Sequence, residues 1–477
     1  MAEYGSFPGV QVSTESGGVS SVEVGAEEIL VLFGEANYDG NNEVDGDDAS
    51  LSASANDPEQ IGAPAVADRK FGSDSELANA MKEALANGAN IEYLYGVAVS
   101  RKSVQDEAGY TGETGTLNNH EIVEDRSTIT VDDSGGASDI DVEFRYKPGL
   151  SSPGDSPSDD TGDVEKVHIN PLTGEFIADQ APSGEFEFDY EYNDYASAFS
   201  EKAVTNIVSE NESGVWLALS DCDTVSSDMD SEVSDLRDNY QMVKAMGLAE
   251  PNSSTVLSAG DTTDSNGGAH ALYDTGTYSS ANSSVAEEYF FKFAPARKDG
   301  QADTVGGGLG GLFAGNPITD PIYNDEVTGY DGLQQQFSKS EADTMRSEDV
   351  IPIRSGGTIR VRGNRSTGFS NSNTVAATFW TRRITDRIIL MAKEIGNETV
   401  GAINDDSTRS KAERLVGAQM RSLSNQRLIQ GNTPSDKNWN VDVYASENNS
   451  KRVNIDVSFK TYGIVKEVSE TITVDTS

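Results

Sequence analysis

Cysteine occurs once in this chain of 477 residues, at Cys222, which excludes intramolecular disulfides and every multi-cysteine zinc module. The only histidines, His120, His168 and His270, lie far apart and lack the short spacing of a metal or acid–base pair. No apolar run approaches the roughly 18 residues of a membrane-spanning helix. The first residues lack the basic start and apolar stretch of a secretory signal, so a soluble chain without membrane insertion is expected. Lysine is scarce, 16 against 19 arginines. There is no G-x-S-x-G elbow and no phosphate loop ending in Gly-Lys. Nothing in the chain reads as an active site, and neither enzymatic activity nor a cofactor or resident metal is expected.

Two stretches imitate ligand motifs. Gly306-Gly307-Gly308-Leu309-Gly310-Gly311 satisfies G-x-G-x-x-G, but it follows a polar, charged segment where a dinucleotide fold needs a buried strand. A flexible or close-packed backbone is the better account among 46 glycines. The loop Asn41 to Gly46 resembles a calcium loop only loosely, since its twelfth position is Ser52 and its first is uncharged.

What is abundant is acid. The 80 acidic residues against 35 basic ones give −45, spread along the whole chain. A dispersed acidic, lysine-poor composition fits a protein of salt-saturated cytoplasm and disfavours direct nucleic-acid binding. One region departs from it: between Met345 and Arg427 there are 14 basic and 8 acidic side chains, a net of +6. Such a segment either faces an acidic partner or neutralises carboxylates within its own fold.

Apolar content is only 36%, yet 16 Phe and 17 Tyr argue for a folded chain, long enough for two or three domains. A buried strand is expected at Ile29 to Phe33. A helix should follow a capping box at Ser73 to Glu76 and end at Gly88, with a second strand from Ile91 to Val99, the start of an α/β layer. From about Arg101 to Asp194, short strand-like pieces and turn-rich loops mark a β-rich insertion. Helical pattern returns at Tyr195 to Asn211, a strand at Gly214 to Leu219, and a helix at about Asp228 to Met246 ended by Gly247. Farther on come a strand and turn at Thr358 to Ser366, a helix at Phe379 to Ile395 and another at about Ser407 to Ile429. The last of these should bury Ala412, Leu415, Val416, Met420 and Leu423 and project Lys411, Arg414 and Arg421. Strands are expected at Lys451 to Lys460 and Ile464 to Val474.

Both ends alternate apolar and polar residues: Val10 and Val12 near the start, Ile472 and Val474 near the finish. Edge strands at chain ends present unpaired backbone groups to any strand within reach, so these arms are expected to pair with neighbouring copies. Pairing within the same monomer is the alternative.

Taken in order, these pieces resemble the contractile tail sheath proteins of tailed viruses and related injection machines. Phe7-Pro8-Gly9-Val10-Gln11-Val12 is similar to the family's Pro-Gly-Val opening, and Ile29 to Glu35 to its first buried strand. Glu185 to Tyr192 is similar to the strand ending its protruding insertion. Tyr289 to Pro295 with Gly306 to Asn316 resembles its aromatic stretch and small-residue helix. Arg360 to Ser366, then Phe379 to Arg383, resemble its Arg-Thr turn and arginine-bearing helix, although the turn reads Arg365-Ser366-Thr367 here.

The resemblance implies a multidomain α+β or α/β subunit. Residues 1–28 would be an N-terminal linking arm, 29–344 an outer α/β domain with its β-rich insertion at about 101–194, 345–447 an inner sheath domain, and 448–477 C-terminal strands and linking arm. The inner domain would be built from both chain ends. It further implies six-fold helical layers of this chain around a tail tube, with baseplate and tail terminator proteins as further partners. Contraction would drive the tube through a host envelope, in a virion tail assembled in the host cytoplasm. Acidity points to a halophilic, archaeal host. Lys411, Arg414 and Arg421 would contact the tube or, nearly as well, a neighbouring subunit. A cellular contractile injection particle is the runner-up, and an unrelated halophilic enzyme or surface protein the third reading.

Overall fold

The computed structural model describes residues 28–39, 41–88, 91, 93–119, 122–123, 129–136, 140–144, 156–157, 164–171, 174–200, 207, 215–219, 226–238, 245–249, 290–293, 306–318, 320, 322–330, 342–343, 345–346, 350–355, 358–366, 378–399, 403–433, 436–446 and 449–462. Val10, Val12, Ile472 and Val474, and with them both arms, lie outside the described residues, as do Cys222, His120 and His270. The chain forms two compact units, one of residues 26–316 with 324–373 and one containing 317–323 and 374–477.

The first unit begins with β1 (Ile29–Gly34), β2 (Pro58–Gln60), α1 (Pro64–Phe71), α2 (Glu76–Asn87) and β3 (Tyr93–Ala98). The insertion supplies β4 (Arg101–Tyr110), β5 (Thr114–Thr116), β6 (Thr130–Asp133), β7 (Asp141–Phe144), β8 (Lys166–Ile169), β9 (Glu175–Ala178) and β10 (Phe186–Asn193). The α/β layer then resumes with α3 (Tyr195–Ser200), β11 (Val215–Leu219), α4 (Ser226–Asp238), β12 (Ala245–Ala249), β13 (Phe290–Phe293) and α5 (Gly306–Gly315). The short strands β14 (Glu326–Val327), β15 (Val350–Ile351), β16 (Ile353–Ser355) and β17 (Ile359–Val361) follow.

Seven strands form one sheet in the order β15-β13-β12-β11-β1-β3-β2, parallel throughout except for the edge pair β2–β3. The unbroken apolar run of β1 suits its central place, because a parallel sheet is covered on both faces. Ile29, Val31 and Phe33 face α3 and α4, meeting Phe199, Met229, Val233 and Leu236. On the opposite face Leu30 approaches α5 beside Gly310, and Trp216 meets Phe313 edge-on at 5.4 Å. Burying the five large side chains of β1 contributes on the order of 10 kcal/mol before entropy is charged.

The glycine-rich segment is helix α5, buried along its whole length. Its Gly307 and Gly311 lie against Ala80 and Ala84 of α2, where an added Cβ would stand 2.3 Å and 2.4 Å from those residues' carbonyl oxygens. Close packing, and no nucleotide turn, explains the glycines.

The insertion holds two small sheets, β4-β10-β6 and β5-β9-β8-β7, sharing a core of Phe176, Phe186, Phe188, Tyr190, Val131 and Ile169. Two buried carboxylates organise it. Glu107 accepts from the Tyr190 hydroxyl (2.6 Å), the Tyr110 hydroxyl and the Asn118 N–H (2.8 Å), and burial together with this carboxylate pushes both phenols up. Asp133 accepts from Ser183 Oγ and N (both 2.7 Å), Gly184 N (2.8 Å) and Gly135 N (2.9 Å). Burial raises its pKa, but these donors outweigh it and hold the carboxyl at about 2, below the ordinary 3.8. Its contribution to stability is therefore fully present above pH 3.8 and is lost as pH falls through about 2. Asp133→Asn is expected to cost about 1–3 kcal/mol at neutral pH and to flatten the acid limb of stability. Thermal unfolding followed by tyrosine near-UV circular dichroism across pH checks this; an unchanged acid limb in the variant removes the role assigned to the carboxylate.

The second unit contains α6 (Phe379–Thr399), α7 (Asp406–Asn425) and the antiparallel hairpin β18 (Trp439–Ser446) and β19 (Asn449–Phe459). Trp380, Ile384, Ile388 and Met391 of α6 and Ala412, Val416, Met420 and Leu423 of α7 form its core, with Trp439, Val441 and Val443 of the hairpin packed against it. The Trp380 indole donates to the Ile318 carbonyl at 2.8 Å.

Several sequence expectations need correction. The cap of α2 is Ser75, whose hydroxyl accepts from Ala78 N at 3.1 Å, and not Ser73, whose N–H is held by Asp47. The helix expected to run to Met246 ends at Asp238, and Ala245–Ala249 is a strand paired with β11, so Gly247 is a strand residue and not a cap. Helix α7 ends at Asn425, four residues short of Ile429, and Leu415 stands 36% exposed although it was placed on the buried face. β18 was passed over, and the hairpin it makes crosses the expected boundary at 447/448. Val350–Ile351, expected to belong with the C-terminal domain, extends the seven-stranded sheet. Arg382 and Arg383, counted in a basic surface, are buried.

Candidate functional site

Doubly wound sheets hold ligands at the carboxyl ends of strands where the strand order reverses. Here that place is next to β1, whose neighbours are β3 on one side and β11 on the other. The chain continues from β1 into Glu35, which pairs with Arg101 of β4 and accepts from Asn193 Nδ2 of β10 at 3.1 Å. The Arg101 guanidinium also lies 4.6 Å over the Tyr38 ring, and the Tyr38 hydroxyl donates to the Val99 carbonyl. Burial, then the nearby Glu35, pushes that hydroxyl up. These charge-assisted contacts root the insertion in the sheet. His168 is buried elsewhere, in the insertion, with Nε2 3.3 Å from Glu143. Among the described residues no group of three or more His, Cys, Asp or Glu could hold a metal ion, and no helix is long and apolar enough to cross a membrane.

The surface of the second unit is more informative. Much of the basic segment is spent inside the fold. Arg382 pairs with Asp386, Arg383 stacks 5.1 Å over Phe379, and Arg409 pairs with Asp406. In the first unit Arg360 pairs with Glu326 at 3.0 Å, Arg362 donates to Asn324, and Arg365 donates to the Arg346 carbonyl at 2.7 Å. Of these, Arg360, Arg382 and Arg409 neutralise carboxylates within the fold.

Lys411, Arg414 and Arg421 remain. All three are exposed on α7, on the side opposite Ala412, Val416, Met420 and Leu423. Asp405 caps the helix by accepting from Thr408 N at 2.8 Å, which fixes where the helix starts and hence which residues face out. Among the described residues no carboxylate pairs with Lys411, Arg414 or Arg421; Arg414 Nε donates only to the Ser410 carbonyl within its own helix, at 3.2 Å. Exposed Ala418 lies between the three cations, and exposed Leu415 borders Lys411 at the edge of the group. One cationic stripe bordered by Leu415 results.

The hairpin presents the opposite character. Its inner face is apolar, while its outer face carries Asn440, Asp442 and Tyr444 on β18 and Asp456 and Ser458 on β19. Asp442 and Asp456 are direct cross-strand partners, both exposed. Tyr444, 39% exposed, donates to Asp456 at 2.8 Å. The sequence reading missed this patch because it missed β18, although the alternation of Trp439, Val441 and Val443 with Asn440, Asp442 and Tyr444 marks a strand.

No protein-family model matches the chain, and no curated protein sequence does. Solved structures do. The fold is similar to that of the anti-feeding prophage helical sheath in its contracted state, with 13% identity, a TM-score of 0.54, and 99% of this chain and 100% of that one covered. A chain of the anti-feeding prophage baseplate is similar over the same shares, at 13% identity and a TM-score of 0.52. The contracted sheath complex of an extracellular contractile injection system, PVC, is similar at 12% identity and a TM-score of 0.50, with 99% of each chain covered. The chain has the fold of contractile sheath subunits.

Proposed function

We propose that this chain is a structural and mechanical subunit of a contractile tail sheath. It polymerises as six-fold helical layers around an inner tube and shortens to drive that tube through a target envelope. The observation that supports this most is likeness of fold over 99% of the chain to a contracted helical sheath. No catalytic step is assigned. The free energy of contraction is stored in packing between copies and released by a change of lattice. The further partners are a tube, a baseplate and a tail terminator. Its strong acidity favours a virus of a halophilic host, with assembly in the host cytoplasm and the virion tail as destination; a cellular injection particle uses the same subunit mechanics, and a capsid or portal gene beside this one distinguishes the two.

The termini are the links between copies in this reading, through Val10 and Val12 at one end and Ile472 and Val474 at the other. Purified protein in molar salt, where the screening length falls to about 3 Å, is expected to form tubular polymers by negative-stain microscopy. Deleting residues 1–14, or 464–477, is expected to leave folded protein that no longer polymerises. Full-length tubes from either truncation would remove the linking role of that arm, and absence of any polymer from the intact chain would remove the sheath reading.

A further inference from the structure

We propose that the cationic stripe of α7 in one copy docks on the outer face of the β18–β19 hairpin in a second copy. The inference rests on the reading of the chain as a self-assembling subunit. Four observations carry it.

First, Lys411, Arg414 and Arg421 are exposed and no carboxylate among the described residues pairs with them, in a chain of net charge −45 in which Arg360, Arg382 and Arg409 pair with carboxylates of their own fold. Second, Asp442 and Asp456 stand directly opposite each other across the hairpin, and no cation whose side chain is described (those of residues 449–452 are not) pairs with either. Like charges in that position weaken a strand pair, so a cation delivered from outside relieves a repulsion as well as forming a contact. Third, the spacings agree. Residues three apart on a helix have Cβ atoms about 5–6 Å apart, as Lys411 and Arg414 do by position. Cross-strand partners such as Asp442 and Asp456 are about 4.5–5.5 Å apart. One i,i+3 pair of cations therefore meets one cross-strand pair of carboxylates without distortion of either element. Fourth, each charge pair has a large exposed apolar side chain beside it, Leu415 next to Lys411 and Tyr444 next to Asp442 and Asp456. Screening to about 3 Å in molar salt leaves only direct ionic contacts effective, so an apolar side chain beside each charge pair suits assembly under those conditions.

The partner is a second copy because the two patches are different surfaces of the same unit and complement each other in charge. A contact between two unlike patches is head-to-tail, and such contacts propagate into rings or helices, the geometry a sheath needs.

Charge reversal tests the pairing. Lys411→Glu with Arg414→Glu is expected to raise the protein concentration needed for polymerisation by about tenfold or more, because it sets four carboxylates together. Asp442→Lys with Asp456→Lys is expected to do the same. Mixing the two double variants, or combining all four substitutions in one chain, is expected to restore polymerisation, since each arrangement again opposes unlike charges. Sedimentation and negative-stain microscopy in molar salt read the result, with circular dichroism to establish that each variant is folded. If the intact chain polymerises and either double variant does so unchanged, the docking is wrong while the sheath reading stands. If both double variants fail and neither the mixture nor the fourfold variant recovers, the two patches meet other partners and the docking is again wrong. Failure of the intact chain itself to polymerise overturns the sheath reading and the docking with it.

Discussion

Replacing Asp386 with alanine is expected to destabilise the second unit by about 3–5 kcal/mol, one of the largest single-residue effects in the chain. Asp386 and Arg382 occupy successive turns of α6, and both are 3% exposed. Arg382 donates to Asp386 Oδ1 through Nε at 3.1 Å and again through Nη2. A guanidinium cannot shed its proton to escape burial, so deleting the carboxylate takes its charge partner from a buried cation. The pair itself is worth far less than its rupture costs. Arg382→Met combined with Asp386→Leu is therefore expected to recover most of the loss. Tryptophan reports the outcome, because Trp380 and Trp439 lie in this unit and Trp216 in the other; a Trp216→Phe background isolates the signal. A urea midpoint for Asp386→Ala equal to that of the parent would mean that water reaches the guanidinium.

Gly307→Ala with Gly311→Ala is expected to be nearly as damaging, although alanine is the better helix former. In isolation each exchange favours a helix by about 1 kcal/mol. In this structure each new methyl would meet a backbone carbonyl of α2, that of Ala80 at 2.3 Å or that of Ala84 at 2.4 Å. Carbonyls within a helix cannot swing aside as a side chain can, so α2 and α5 must separate, and overpacking of this kind costs about 1–3 kcal/mol per site before the propensity gain is subtracted. Gly310→Ala is the matched control. Its methyl would lie 3.3 Å from the Leu30 methyl carbons, which can yield, so that variant is expected to be within about 0.5 kcal/mol of the parent. Thermal unfolding followed by Trp216, which meets Phe313 of α5 edge-on, compares the three chains. Equal stability of all three would contradict the close approach of the two helices.

These two cases separate what can be read locally from what cannot. The periodic elements were legible. The all-apolar run of β1, the helical spacing of Leu77, Met81 and Ala84, and the alternation in Glu185 to Tyr192 each carry the period of the element they form. The short run Ala245–Ala249 was misread, because its four apolar residues and one glycine after a helix continue the helical period as well as they begin a strand; only pairing with β11 decides. The candidate surface was half legible. Helical spacing alone placed Lys411, Arg414 and Arg421 together on the outside of α7, but it also buried Leu415, which the structure exposes.

By itself, then, the sequence determined composition-level facts and local period: an acidic chain without disulfides or a recognisable catalytic constellation, an α/β layer interrupted by a β-rich insertion, and an amphipathic C-terminal helix with a basic face. Tertiary structure decided which charges remain available to a partner. Arginines at 382 and 421 are alike as letters, yet one is buried against Asp386 of its own helix while the other faces solvent. It also decided why glycine recurs in α5, since the demand comes from two carbonyls more than 200 residues earlier in the chain. It set Asp442 opposite Asp456 through the register of a hairpin. Distances between chain-remote atoms control burial, pairing and steric room, and no local period encodes them.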